Sequence, residues 1–280
     1  ARRLLACSAI RPLHYETQLI ASRTPLKSDL LVLHGLLGQG RHWRHFLRAL
    51  GGGLERACGA DVSLGMRSSG GGGGGGVHCL MPSMRCHGES ALLPGLRPPH
   101  TLSAAAADLD ALLRTLARPP TVLIGHSLGG KVLLEWLRGT PEHAQKMQVW
   151  VLDTNPGTYP SDSSADPHDI GATLDTLAGL PQTVPSKRWV WDRLSERGFN
   201  RAAVEWMSSS LVALPGTDPR EDARRQWLFD LAGARNIFEE SLKAELWDVA
   251  VRPPTGVELH LVRGESSPAW RSPVTLERFG

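Results

Sequence analysis

Six consecutive residues, Gly125-His126-Ser127-Leu128-Gly129-Gly130, place a hydroxyl between two glycines, each two positions away. They follow the β-branched run at 121–124 and precede the helix-forming run at 130–138, so Ser127 falls on a strand-to-helix turn. On such a turn the glycines at 125 and 129 leave room for a strained backbone, the serine Oγ projects above the sheet edge, and the helix N-terminus faces a reacting carbonyl. The chemistry this suits is attack by Ser127 on an ester or acyl carbon. A second segment, His34-Gly35-Leu36-Leu37-Gly38, follows an earlier apolar run at 29–34. A loop there can aim an amide at a developing oxyanion, and the N–H groups of Leu36 and Leu128 form the natural pair of donors. The first segment carries most of the information; His34-Gly35 and the following glycine become specific only beside it.

Other chemistries are poorly served. Cys7, Cys58, Cys79 and Cys86 form no C-x-x-C pair. Cys79, Cys86 and His87 lack a partner pair at zinc-ligand spacing, so they read as small, partly buried thiols and an ordinary histidine, with no metal and no cofactor expected. Residues 125–131 also read G-x-x-x-x-G-K, and the apolar run 149–152 ends at Asp153, which together mimic a nucleotide-binding loop and its magnesium-binding acid. Val132 supplies no hydroxyl where Mg²⁺ requires one, and the 34–38 loop is left without a role.

The elements that must hold these residues follow a strand–helix rhythm: apolar runs at 29–34, 79–84, 121–124, 149–152 and 257–263, with helical patterns at 41–50, 101–117 under Thr101, and 130–138. This predicts an α/β fold with a mostly parallel, doubly wound sheet and a helical cap at about 155–247. Residues 51–77, with Gly51–Gly53 and an unbroken glycine run at 70–76, are expected to form a flexible insertion within a domain covering 26–280. Residues 1–25 form an N-terminal extension whose Arg2, Arg3, Ser8 and Arg11 precede any acid, as in the remnant of a transit peptide. The expected location is therefore a mitochondrion or chloroplast, otherwise the cytoplasm. At 280 residues, with 41% hydrophobic and 21% charged residues, disorder and coiled coils are excluded as overall descriptions. No apolar run has the length of a membrane span. A net charge of +3 does not indicate nucleic-acid binding, which leaves a small-molecule ester or acyl substrate as the expected partner.

The segments 34–38, 84–90 (M-R-C-H-G-E-S), 125–131 and 151–157 (V-L-D-T-N-P-G) together resemble the α/β-hydrolase fold. Within it, the similarity is to small esterases of the alpha/beta hydrolase domain-containing protein eleven type, over roughly residues 12–270. The resemblance implies a serine hydrolase with Ser127 as nucleophile, an acid, and a histidine near the C-terminus. Ser83 stands where the family usually has Asp, which predicts altered local hydrogen bonding. The place that many members give to the triad acid is Ser267, so Glu265, two residues earlier, is one candidate, and Asp153, after the strand that follows the nucleophile helix, is another. Asp248 precedes the last strand and remains open.

In this fold the triad runs Ser, acid, His, yet no histidine follows His260, which itself lies within the last apolar run. His126 adjoins Ser127 but points elsewhere on the turn, and His34 belongs to the oxyanion loop. No base is therefore assigned within the 280 residues. The expectation is a serine carboxylesterase or acyl hydrolase whose C-terminal part is incomplete here. The alternative is a hydrolase-fold protein that lacks the base and binds without turnover.

Overall fold

The computed structural model describes residues 13–21, 29–62, 76–139, 146–159, 170–214, 216, 218, 223–267, 270, 275, 277 and 278. Their elements, in chain order, are β1 (Tyr15–Ala21), β2 (Asp29–Leu33), α1 (Arg44–Val62), β3 (Val77–Pro82), α2 (Leu102–Thr115), β4 (Val122–His126), α3 (Leu128–Gly139) and β5 (Met147–Leu152). There follow α4 (Ile170–Ala178), β6 (Thr183–Val184), α5 (Lys187–Glu196), α6 (Arg201–Ser208), β7 (Leu211–Ala213), β8 (Arg225–Trp227), α7 (Leu231–Lys243), α8 (Trp247–Val251) and β9 (Val257–Val262).

β2 explains the layering. All five of its residues are buried, because successive side chains point to opposite faces and both faces are covered. Leu31 and Leu33 enter the larger core, with Leu109 and Leu112 of α2 and Leu133 and Leu134 of α3. Leu30 and Val32 enter the smaller one, with Leu47 of α1, Cys79 and Met81. The six-stranded sheet has the order β1-β3-β2-β4-β5-β9; β1 is antiparallel to β3 and every other pair is parallel. This is the mostly parallel α/β sheet that the strand–helix rhythm predicts. Between β5 and β9 lie the five helices α4–α8 and a three-stranded sheet, β6-β8-β7; all but α8 fall within the span expected for a cap.

The span 51–77 is not loop throughout, contrary to the expectation of a flexible insertion. Helix α1 runs through Gly51–Gly53 to Val62, so helix occupies the first dozen residues of the span read as a flexible insertion. Gly51 is buried, and a Cβ there would lie 1.6 Å from the Ile20 carbonyl oxygen. Glycine lets α1 lie directly on β1, a tertiary requirement that outweighs its poor helix propensity. The unbroken glycine run at 70–76 falls, but for Gly76, outside the described residues, as do the N-terminal residues 1–12.

Strand order also places the site. From β2 the chain crosses to β3 on one side, whereas β4 lies on the other side of β2. The loops leaving β2 and β4 therefore diverge from neighbouring strand ends, where Leu33 pairs with Gly125. In open α/β sheets this is where a crevice forms.

Candidate active site at the β2–β4 crevice

Ser127 is the single residue between β4 and α3, and its φ of 53° lies in the left-handed region, a strained conformation for serine. The surroundings hold it there. Its N–H donates to the Leu152 carbonyl at 3.0 Å, and its carbonyl accepts from Gly130 N at 2.9 Å and Lys131 N at 3.2 Å. Thr154 Oγ1 donates to the same carbonyl at 2.9 Å. The three glycines around it are sterically required. A Cβ at Gly125 would lie 2.6 Å from the Gly129 carbonyl oxygen, one at Gly129 would lie 2.7 Å from the His34 carbonyl oxygen, and one at Gly130 would lie 2.2 Å from Thr154 Oγ1. Strand, turn and helix thus pack with no space for side chains.

The loop after β2 reaches the same point. A Cβ on Gly35 would stand 3.4 Å from Ser127 Cβ and 3.1 Å from His126 Nδ1. Gly38 N closes the loop onto the Gly35 carbonyl at 3.0 Å, with Leu37 at a φ of 55°. Leu36 and Leu128 are buried on the two sides of this meeting.

His34 fixes the loop from below. Its Nε2 accepts the Met84 N–H at 3.0 Å, and its Nδ1 lies 2.7 Å from the Gly35 carbonyl. An Nε2 that accepts leaves the proton on Nδ1, which donates to Gly35, so the ring is neutral with both nitrogens engaged. Burial pushes its pKa well below the usual histidine value, and the nearby His87 adds to the effect. The ring of His87 lies 5.1 Å away. Burial holds its pKa at about 4, opposed by its contact with the Arg85 carbonyl.

Lys131 decides against nucleotide binding. Its buried Nζ donates to the carbonyls of Pro156, Gly157 and Ala244 at 3.2, 2.7 and 2.8 Å. An ammonium committed to three carbonyls cannot also reach phosphates, and here it ties α3 to the segment after β5. Burial lowers its pKa to about 7, against the pull of Glu245.

A sequence profile of the alpha/beta hydrolase family matches residues 30–278. The chain belongs to the alpha/beta hydrolase family. It is 26% identical, over 179 residues, to the sn-1-specific diacylglycerol lipase ABHD11 of Mus musculus, an alignment covering 63% of this chain and 47% of that protein. The chain thus spans about half the length of the curated relative it matches. Among solved structures, a marine microorganism esterase superposes with a TM-score of 0.60 at 16% identity, covering 90% of this chain and 91% of its own. The thioesterase domain from the curacin biosynthetic pathway superposes with a TM-score of 0.54 at 18% identity, covering 95% and 87%. At these identities the superpositions speak for the fold.

Within this family member the acid candidates differ sharply. Asp153 has a φ of 50° at the end of β5, next to β4 in the sheet. Its Oδ1 accepts from Gly264 N at 3.0 Å and from Trp270 Nε1 at 2.9 Å, and its Oδ2 has no hydrogen-bond partner among the described residues. Glu265 sits in an exposed turn, and Asp248 is exposed in the first turn of α8. Both Asp153 and Glu265 follow the C-terminal ends of parallel strands at the Ser127 end of the sheet; Asp153 is held there by two donors, whereas Glu265 is exposed.

Among the described residues, no histidine is hydrogen-bonded to Ser127. His126, at the end of β4, keeps part of its side chain in solvent while its Nδ1 packs near Gly35, and this partial desolvation lowers its pKa despite the opposing charge of Asp153. His260 stacks on Trp150 with ring centroids 3.9 Å apart and lies 3.2 Å from Glu258. It is the strand residue its position suggested. His143 and His168 lie outside the described residues.

Sequence reasoning did not identify Thr154, Lys131 or Trp270 as supports of the site, because each acts across more than one element. Ser83 sits among buried polar groups. Its carbonyl accepts from Ser90 Oγ at 2.6 Å, its Oγ is 3.5 Å from Gly40 N, and both amide atoms of buried Gln39 lack partners among the described residues. Cys79 and Cys86 are fully rather than partly buried, and burial pushes both thiols up to about 12. Neither is poised as a nucleophile. Among the described residues no helix is long and apolar enough to cross a membrane.

Proposed function

We propose that the protein is a serine hydrolase that cleaves a carboxylic ester or related acyl bond. Ser127 Oγ attacks the carbonyl carbon as its proton passes to a general base, the C=O π bond opens onto oxygen, and the Leu36 and Leu128 amides hold the resulting oxyanion. Collapse breaks the bond to the leaving oxygen or sulfur, which takes the proton from the base and departs as alcohol or thiol, leaving an acyl-enzyme that water resolves. The observation that carries this reading is the left-handed backbone of Ser127 at the β4–α3 junction with Gly35 packed against it. Strain of that kind persists only where the surroundings enforce it, and it lifts the side chain toward the crevice.

Asp153 is the acid this reading prefers, with Oδ2 as the atom open to an imidazole. The base is assigned to no histidine of the 280 residues. The diacylglycerol lipase relative makes a glycerolipid ester the first substrate to assay, beside short-chain p-nitrophenyl esters. Hydrolysis by the complete protein that disappears in Ser127→Ala supports the proposal. Turnover that survives the substitution contradicts it. A folded protein that binds such esters without cleaving them supports the noncatalytic alternative.

A further inference from the structure

Away from Ser127, three side chains from separate parts of the chain meet at the start of α7. Cys86 follows β3 with a φ of 65°, His100 precedes the Thr101 cap of α2, and Asp230 caps α7 by accepting Gly233 N on Oδ1 at 3.0 Å. One ligand atom from each lies within 4.8 Å of the other two, and His100 Nε2 is 3.5 Å from Asp230 Oδ2. The backbone fixes the meeting. Asp230 N donates to the Cys86 carbonyl at 2.9 Å, and His87 bridges Phe229 in antiparallel fashion.

Two further observations mark this as more than crowding. Gly233 is a cradle: a Cβ there would lie 2.5 Å from Cys86 Sγ, 2.6 Å from Asp230 Oδ2 and 2.7 Å from His100 Cδ2. Only glycine at this position allows the three groups to converge. In addition, the His100 side chain is 10% exposed with its Nε2 toward Asp230, so the imidazole is held at the meeting point largely away from water.

The order of the groups excludes a cysteine-based catalytic unit. Activating a thiol needs the imidazole between sulfur and carboxylate, whereas here the Asp230 carboxylate contacts both the Cys86 thiol and the imidazole. A sulfur, a ring nitrogen and a carboxylate oxygen around one point are instead the donor set of a borderline-soft divalent cation. Asp230 also lines, with Leu92, Trp227 and Phe229, a cleft of about 450 Å³, which supplies an entry path.

We propose that Cys86, His100 and Asp230 form a binding site for a thiophilic divalent cation, with Zn²⁺ the best chemical fit and a fourth position open to the cleft. Binding breaks the Cys86 S–H bond, forms the metal–sulfur bond and releases the proton to solvent. It cross-links the segment leaving β3 to the start of α7.

The test uses Co²⁺ as a spectroscopic probe, with Cys7→Ser and Cys58→Ser in the background so that these two thiols do not contribute. One equivalent of Co²⁺ should give a thiolate-to-cobalt charge-transfer band, and one equivalent of Zn²⁺ should remove it. Cys86→Ser should lose the band, His100→Gln and Asp230→Asn should weaken binding by at least about tenfold, and Cys79→Ser should leave it unchanged. Because a core variant can fail to fold, X-ray absorption on the otherwise unaltered chain with Zn²⁺ provides a second readout, expected to show one sulfur at roughly 2.3 Å together with nitrogen and oxygen. Absence of sulfur around the bound zinc, failure to bind Zn²⁺, or a charge-transfer band that persists in folded Cys86→Ser would each overturn the proposal.

Discussion

The two halves of the Ser127 site are built by different means. On the β2–β4 side, backbone packs on backbone: Gly129 leaves no room beside the His34 carbonyl, Gly35 lies against Ser127, and His34 ties its loop, through Nδ1 on Gly35, to the segment after β3, through Nε2 on Met84. On the β5–β9 side, single side chains span long stretches of sequence. Asp153 alone gathers Gly264 and Trp270, and Lys131 alone gathers three carbonyls. The first half depends on the absence of side chains and the second on their presence. Each should therefore fail differently when altered.

The largest effect should come from Ser127→Ala, with a loss of turnover of about 10⁶-fold if Ser127 is the nucleophile, measured on a p-nitrophenyl ester. Next, Asp153→Asn should cost about 10⁴-fold if Asp153 orients the base, while Glu265→Gln should leave turnover within about twofold. Equal losses in the two carboxylate variants would erase the distinction drawn between them.

Stability should also depend on pH through the first half. His87 has a folded pKa of about 4 against an ordinary value of 6.5, so between those limits the unfolded chain binds a proton that the folded chain refuses. Stability is then full above the upper limit and falls as pH drops toward the lower, by up to about 3 kcal/mol. His87→Gln should flatten the pH dependence of denaturant midpoints across that window by about one proton. A smaller contrast separates two glycines of α3. Gly129→Ala, facing backbone at 2.7 Å, should destabilise by about 1–3 kcal/mol. Gly139→Ala, with nothing within 4 Å, should be neutral or stabilise by up to about 1 kcal/mol in thermal melts.

The same division explains what could be read from sequence. Five parallel strands, the Thr101 cap and the Ser127 turn are local patterns a few residues long, and each is found where its residues suggested. Strand β1 escaped because its tyrosine, glutamate, threonine and glutamine leave only a short apolar end, typical of an edge strand. β6, β7 and β8 are two or three residues long, too short to carry a period. The glycines of α1 suggested a loop because the reason for Gly51, contact with Ile20, lies in another element. The Cys86 cluster was hidden for the same reason. Cys79 and His87 are neighbours in sequence, but the groups that meet Cys86 come from position 100 and position 230.

The most direct test of Ser127 as the nucleophile is reaction of the complete protein with a fluorophosphonate, followed by peptide mapping. The account predicts one adduct on Ser127 and none in Ser127→Ala. An adduct that persists in the variant, or no adduct on the folded protein, would contradict it.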